Sequence, residues 1–284
     1  MRTGLVMEGG AMRGMFTCGV IDVFMEHDIE FDGGAGISAG AVFGCNYKSR
    51  QPGRAIRYNK TYCRDPRYCS IRSLIRTGDL YGADFCYREL PDELDIFDRE
   101  AFRENPMEFF MGATDVRTGE AVYHKCTDGG VKDLLWMRAS ASMPIVSRPV
   151  VIDGYLLLDG GIVDGVPFAY MEEQGYDRNV IILTRPAGYR KKKSSILPLM
   201  KLILREYPNV TEAMAVRHER YNAQMSAIEE REKAGMALVI RPPFALPIAR
   251  TEKDPRKLEE VYQIGRQEGN RRLKEVEAFL AQKH

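Results

Sequence analysis

Gly4-Leu5-Val6-Met7-Glu8-Gly9-Gly10-Ala11-Met12-Arg13-Gly14 opens the stretch that decides the fold, and residues 31–48, centred on Gly36-Ile37-Ser38-Ala39-Gly40, complete it. Each half runs a short apolar segment into glycines and then into a helical pattern. Residues 4–7 read as a buried strand and 15–27 carry apolar residues at helical spacing; 31–37 and 39–48 repeat the arrangement. Two strand-turn-helix units in succession predict a mostly parallel sheet, covered by helices on both faces. The second turn has G-x-S-x-G spacing. There the flanking Gly36 and Gly40 let a strained turn hold the Ser38 hydroxyl at the head of a sheet. The first turn can aim free backbone N–H groups at a developing oxyanion, as helix N-termini do. Together the turns suggest a serine hydrolase, although the second motif taken alone also reads as a plain strand-to-helix turn.

The rest of the chain fits an α/β fold. Residues 50–105 are rich in Arg, Tyr, Asp and Pro without a sustained period, which predicts loops and short helices. Residues 109–114 and 121–124 form a hairpin pattern turning near 117–119. Residues 150–152 and 155–158 form a tighter one, because Asp153-Gly154 favours a two-residue turn, and it ends on Asp159-Gly160-Gly161. Residues 180–184 read as a central strand, 212–233 as a charged helix, 237–240 as a last strand and 257–280 as a terminal helix. No repeat at solenoid periods is visible, and residues 1–284 read as one domain: a motif-bearing part to about 188 and a helical part from 190.

Composition narrows the function classes. With 41 basic and 40 acidic side chains, nothing in the net charge points to nucleic acid as a partner. Glu8 comes too early for a signal peptide, and no run of eighteen apolar residues exists, so a cytoplasmic protein is expected. The 6 cysteines show no C-x-x-C spacing, which argues for free thiols and against a zinc or redox motif.

A nucleophilic serine needs a base. The order Ser, Asp or Glu, His is the usual one, and the 4 histidines can be taken in turn. His27 precedes the serine, His124 ends a hairpin strand and His284 is terminal. Only His218 keeps the order in an ordered segment, but Arg217-His218-Glu219-Arg220 reads as a solvated helix face, so a triad is disfavoured. Asp159 remains. It stands at a strand end with nothing bulky after it, where open α/β sheets bind ligands, and partial burial would raise its proton affinity. Taken alone, Asp159-Gly160-Gly161 also reads as a simple turn.

Four blocks in order resemble the patatin-like phospholipase family: the Gly9–Gly14 loop (residues 9–14), G-x-S-x-G, the small-residue block Ala139-Ser140-Ala141-Ser142-Met143-Pro144, and Asp159-Gly160-Gly161. Ala113-Thr114-Asp115 with Thr118-Gly119-Glu120 is similar to its central hairpin. The resemblance covers residues 4 to about 188 and implies a three-layer patatin-like fold. It also implies lipid ester hydrolysis by a Ser-Asp dyad through an acyl-enzyme, without metal or organic cofactor. Carried over by position, Ser38 is the nucleophile and Asp159 its base. The N–H groups around Gly9, Gly10, Ala11 and Ala39 form the oxyanion hole, with Arg13 and Gly160 in support. One departure stands out: the loop reads Glu8-Gly9-Gly10-Ala11 where the family often has a third glycine. Alanine resists positive φ, so Gly10 is expected to serve more than Ala11.

A dinucleotide fingerprint is the rival for the first loop, but its middle glycine position holds Ala11. A catalytically silent lipid-binding protein and a non-lipid esterase or thioesterase stay open. Arg190-Lys191-Lys192-Lys193, followed by the apolar residues 196–204, reads as a core helix with a solvated basic start, or else as a lid or membrane-surface contact. Oligomeric state is not legible.

Overall fold

The computed structural model describes residues 1–282. Strand β1 (Thr3–Met7) leads through the first glycine loop into helix α1 (Gly14–Glu26), and β2 (Gly33–Ile37) leads through Ser38 into α2 (Ala39–Lys48). Helices α3 (Arg54–Tyr62) and α4 (Ile71–Thr77), a π-helical stretch (Phe85–Leu94) and α5 (Arg99–Glu104) fill the segment read as loops and short helices. The first hairpin is β3 (Glu108–Asp115) with β4 (Ala121–Lys125). Helix α6 (Val131–Ser140), which the sequence pattern did not disclose, follows it. The second hairpin is β5 (Val150–Ile152) with β6 (Tyr155–Asp159), and Asp153 and Gly154 both take positive φ as a tight two-residue turn demands. Then come α7 (Phe168–Glu173), β7 (Arg178–Ile182), α8 (Leu197–Ile203), α9 (Pro208–Lys233), β8 (Ala237–Ile240) and α10 (Pro255–Ala281).

The strands form one mixed, mostly parallel eight-stranded sheet with the path β5-β6-β3-β2-β1-β7-β8, and β4 also paired to β3. Strands β3, β2, β1, β7 and β8 are parallel along that path, and the hairpin strands supply the antiparallel edge. Side chains alternate across the sheet. Leu5, Met7, Phe109, Met111, Val180 and Ile182 face the core beneath α1, α2, α6 and α10, whereas Val6, Phe110 and Ile181 face the one beneath α7 and α9. Both faces are therefore covered, as parallel strands require.

The register of β3 positions the site. Gly112 is flanked by Ile37 and Tyr123, while Ala113 is flanked by Asp159 and Val122. A strand has two edges, so β6 must take over the edge of β3 that β2 leaves. Ser38, one residue beyond Ile37, is thereby brought to the end of β6, where Asp159 stands.

The C-terminal helix belongs to the core. Helix α10 lies against α1 at a contact where glycines let the backbones meet: a Cβ at Gly265 would stand 2.1 Å from the Phe16 carbonyl oxygen, and one at Gly19 2.1 Å from that of Tyr262. Beside this crossing, Asp22 accepts hydrogen bonds from the Tyr262 hydroxyl (2.7 Å) and the Gly53 N–H (2.9 Å). Burial nevertheless pushes the Asp22 carboxyl up to about 6. Gly265→Ala is expected to force the helices apart and destabilise the protein by about 1–3 kcal/mol, the usual scale of overpacking. Urea denaturation measures this, and an unchanged midpoint would show that the helices can yield.

Candidate active site

Ser38 sits at the N-cap of α2 with φ 54° and ψ −119°, a conformation that L residues avoid. The flanking glycines are demanded by close approach. A Cβ at Gly36 would meet the Gly40 carbonyl oxygen at 2.3 Å, and one at Gly40 would meet that of Met7 at 2.3 Å. The strain is held from outside the turn. The Ser38 N–H donates to the buried Ser140 hydroxyl at 2.9 Å, and that hydroxyl donates to the Gly112 carbonyl at 2.6 Å. Ser140 belongs to the small-residue block, and the elbow depends on its side chain.

Asp159 is buried at the end of β6. Its Oδ1 accepts the Gly161 N–H at 2.7 Å, its N–H goes to the Ser142 carbonyl at 2.8 Å, and its carbonyl receives the Thr114 hydroxyl at 3.0 Å. Desolvation raises its pKa above the ordinary aspartate range; the Ser38 side chain, the Arg217 charge, the Gly161 N–H and Lys191 oppose that rise. Gly160, next in line, packs against the Gly112 carbonyl.

The first loop differs from expectation in two ways. Ala11 does adopt positive φ, at 50°, despite its Cβ, so it is no worse placed than Gly10. The Gly9 N–H is already given to the Gly165 carbonyl at 3.2 Å. Among the described residues, the N–H groups of Gly10, Ala11 and Ala39 take no protein acceptor. Glu8, which precedes the loop, is buried and receives the Thr184 N–H and hydroxyl and, at 2.8 Å, the Tyr221 hydroxyl from α9.

Two hollows meet at this centre. One, of about 550 Å³, is lined by Ser38, Asp159, Gly9, Gly10 and Ala11 and by several cations, among them Arg13, Arg185, Lys191, Arg217 and Arg250. The other, of about 120 Å³, shares Ser38, Ala11 and Met143 with the first and is otherwise largely aromatic and aliphatic, with Phe43, Tyr58, Tyr81, Phe97 and Leu134 in its wall. Desolvation, with added repulsion from neighbouring cations, lowers the pKa of Arg13, and of Lys191 to about 7. Desolvation also lowers that of Arg217, with Asp159 opposing the fall.

Several of these residues escaped the sequence reading. Met214, Arg217, His218 and Tyr221 recur at i, i+3, i+4 and i+7 on α9, one helical face, and all line the larger hollow. His218 is therefore not on a solvated face: its side chain is 20% exposed, and its Nδ1 is buried without a hydrogen-bond partner. Of the other histidines, His27 caps the end of α1, and His284 lies outside the described residues. His124, Cys126 and Asp133 bring ligand-type atoms within 4.8 Å of one another. Asp133, however, already bonds His124 Nε2 at 2.7 Å and the N–H groups of Thr127, Asp128 and Gly129, which makes the group a brace for the turn into α6.

A strained serine at a strand-to-helix turn, an aspartate on the adjoining strand end and a loop of free N–H groups thus meet at one end of an α/β sheet. The sequence model of patatin-like phospholipase matches residues 5–171, and the chain belongs to that family. A domain of unknown function, DUF6363, matches residues 207–281. The uncharacterized protein YjjU of Escherichia coli K12 is 32% identical over 194 residues, covering 66% of this chain and 53% of YjjU. Lysophospholipase NTE1 of Scheffersomyces stipitis is 24% identical over 278 residues, covering 92% of this chain and 17% of that protein. The chain thus spans about half the length of the first relative and under a fifth of the second. Among solved structures, VipD from Legionella pneumophila aligns over 95% of this chain and 67% of its own, with a TM-score of 0.44 at 12% identity.

Ser140→Ala would orphan the buried Ser38 N–H and Gly112 carbonyl together. An unsatisfied buried group costs about 1–3 kcal/mol, so the variant is expected to lose at least that much stability. A loss within about 0.5 kcal/mol in a denaturant titration, the range of an ordinary surface change, would mean that Ser140 does not hold the elbow.

Proposed function

We propose that this chain is a serine acyl hydrolase that cleaves carboxylic ester bonds of lipids, phospholipids among them, through a Ser38–Asp159 dyad. The observation that carries this reading is the junction of β2 and β6 on β3, which sets a strained serine beside a buried aspartate at the floor of a large hollow. Asp159 takes the Ser38 proton as Oγ attacks the ester carbonyl. The oxyanion is received by the N–H groups of Gly10, Ala11 and Ala39 and by the positive end of α2. The tetrahedral intermediate collapses to an acyl-enzyme and the alcohol leaves with the proton. Water activated by Asp159 then attacks the acyl-enzyme, releasing the fatty acid and restoring Ser38. The apolar hollow beside Ser38 suits the acyl chain. Lysophospholipase NTE1, among the relatives, bears a name that accords with this substrate class.

A fluorophosphonate probe is expected to label Ser38, and Asp159→Asn to reduce ester hydrolysis at least about a hundredfold, the scale of losing a general base. Because Asp159 must be ionised to accept the proton and burial raises its pKa, the rate should fall on acidification at a pH above the ordinary aspartate value of about 4. His218→Ala should retain most activity. Collapse in that variant with the fold intact would make His218 the base, and absence of any labelled serine would leave a lipid-binding protein as the better reading.

We further infer that residues 1–284 form a single domain, since β8 extends the sheet beyond β7 and α10 packs on α1. The protein would work in the cytoplasm at a membrane surface; among the described residues no helix is long and apolar enough to cross a membrane. Helix α8 supports the surface contact. It does not bury on all sides as a core helix would: Leu197, Met200 and Leu204 point inward, while Leu199 and Leu202 are 53% and 69% exposed beside the exposed Lys193, Lys201 and Arg205. Basic residues meet anionic headgroups and the leucines reach the acyl boundary. The variant Lys193→Gln/Lys201→Gln/Arg205→Gln should bind anionic vesicles more weakly, by up to about 1 kcal/mol per charge, and Leu202→Asp more weakly still. Cosedimentation equal to the parent's in both would remove α8 from the membrane contact.

A further inference from the structure

Five of the cations lining the larger hollow, Arg13, Arg185, Lys191, Arg217 and Arg250, are not explained by the dyad, whereas Arg190 pairs with Glu229. Among the described residues, Arg13, Arg185, Lys191 and Arg250 have no carboxylate within ion-pair distance, and the Arg217 Nε is spent on the Gly161 carbonyl. The acidic side chains lining the same hollow are Glu8 and Asp159. Glu8 is already engaged by Thr184 and Tyr221, and Asp159 by Gly161.

Two of these cations, Lys191 and Arg185, are also held in place, while Arg250 is exposed. The Lys191 backbone is clamped to α9 on both sides, its N–H donating to Asn222 Oδ1 at 2.8 Å and its carbonyl receiving Asn222 Nδ2 at 3.0 Å. Its Nζ lies 3.9 Å from the centre of the Tyr221 ring, and the Arg185 guanidinium lies 4.5 Å from that of Tyr189. The Arg13 Nε is buried without a hydrogen-bond partner. Confining like charges in a partly desolvated hollow is unfavourable unless an anion joins them. The smaller hollow on the other side of Ser38 is largely apolar, and its one charged lining residue, Arg54, is turned to Asp95 and Asn46.

We infer that the cationic hollow is a subsite for the phosphate group of the substrate, so that the enzyme selects acyl esters carrying a phosphate near the scissile bond, with the acyl chain in the aromatic hollow. The inference rests on the hydrolase reading for its use but not for its test. A planar guanidinium matches phosphate oxygens in pairs, and an ammonium adds a point charge, so Arg13, Arg185, Arg217 and Arg250 with Lys191 form a recognition set for a phosphomonoester or diester. A fatty-acid carboxylate would instead be released at the dyad, next to Asp159, where like charge repels it. The hollow also orients the substrate: with phosphate on one side of Ser38 and chain on the other, the ester carbonyl is drawn to the free N–H groups of Gly10 and Ala11.

The test uses the full chain carrying Ser38→Ala, so that binding is read without turnover. Calorimetry compares oleoyl lysophosphatidate with monooleoylglycerol, which share the chain and differ in the phosphate, in the same neutral detergent. Lysophosphatidate is expected to bind at least tenfold more tightly, and Lys191→Gln and Arg250→Gln, in different segments, should each cut that preference several-fold. Lys233→Gln, on the exposed end of α9, should leave it as it was. Equal affinity for the two lipids, or a preference untouched by both pocket substitutions in folded protein, overturns the inference. Inorganic phosphate is the third ligand: affinity equal to that of lysophosphatidate would show a site for free phosphate and would likewise overturn it. Hydrolysis by the unsubstituted chain is measured separately, so loss of the hydrolase reading and loss of the phosphate subsite give different results.

Discussion

Everything at the site depends on the exchange of partners along one edge of β3. Strand β2 occupies that edge as far as Gly112 and β6 takes it from Ala113, so the ends of two strands of opposite direction are brought together. Backbone hydrogen bonds thereby place Ser38 and Asp159 before any side-chain contact contributes. The Ser140 hydroxyl then closes the junction, joining the Ser38 N–H to the Gly112 carbonyl. Such a site is preorganised by the sheet itself, which keeps its geometry more tightly than a loop-borne site could.

Local strain is the counterpart of that order. Ser38 and Ala11 both carry positive φ, each at a cost of about 1–3 kcal/mol, and both line the two hollows. Their neighbours supply compensation. Gly36, Gly40 and Ser140 hold the first, and the loop before the second is fixed by the Gly9–Gly165 hydrogen bond and by buried Glu8. Strain of this kind persists only where surrounding structure over-determines it, and it leaves the N–H groups of Gly10, Ala11 and Ala39 free of protein acceptors.

The elements that position the site were legible because each has a local signature. Glycine turns mark the ends of β1 and β2, Asp153-Gly154 marks the β5–β6 hairpin, and Asp159 follows three leucine-type residues. Helix α6 was not legible, since Trp136 and Met137 bury among polar neighbours such as Asp133 and Ser140 without an apolar stripe. Nor was the wall of the larger hollow. A charged helix face normally meets solvent, so Arg217 and His218 read as solvated, whereas α9 lies along the hollow and turns both into its wall. Ala11 misled for a different reason: propensity disfavours its φ, and tertiary context overrides that preference.

The division of labour along the chain follows from these contacts. The family match ends at Met171, yet the larger hollow is incomplete without Arg185, Lys191 and the residues of α9. Tyr221 reaches Glu8 beneath the first glycine loop and Arg217 reaches the Gly161 carbonyl beside Asp159, so α9 touches both halves of the site. The part of the chain beyond the dyad therefore does more than cover one face of the sheet. It supports the first glycine loop and sets the charge of the larger hollow. A sheet of this kind does not by itself fix what its serine and aspartate face, and here the helices that wall the hollow set the charge around them.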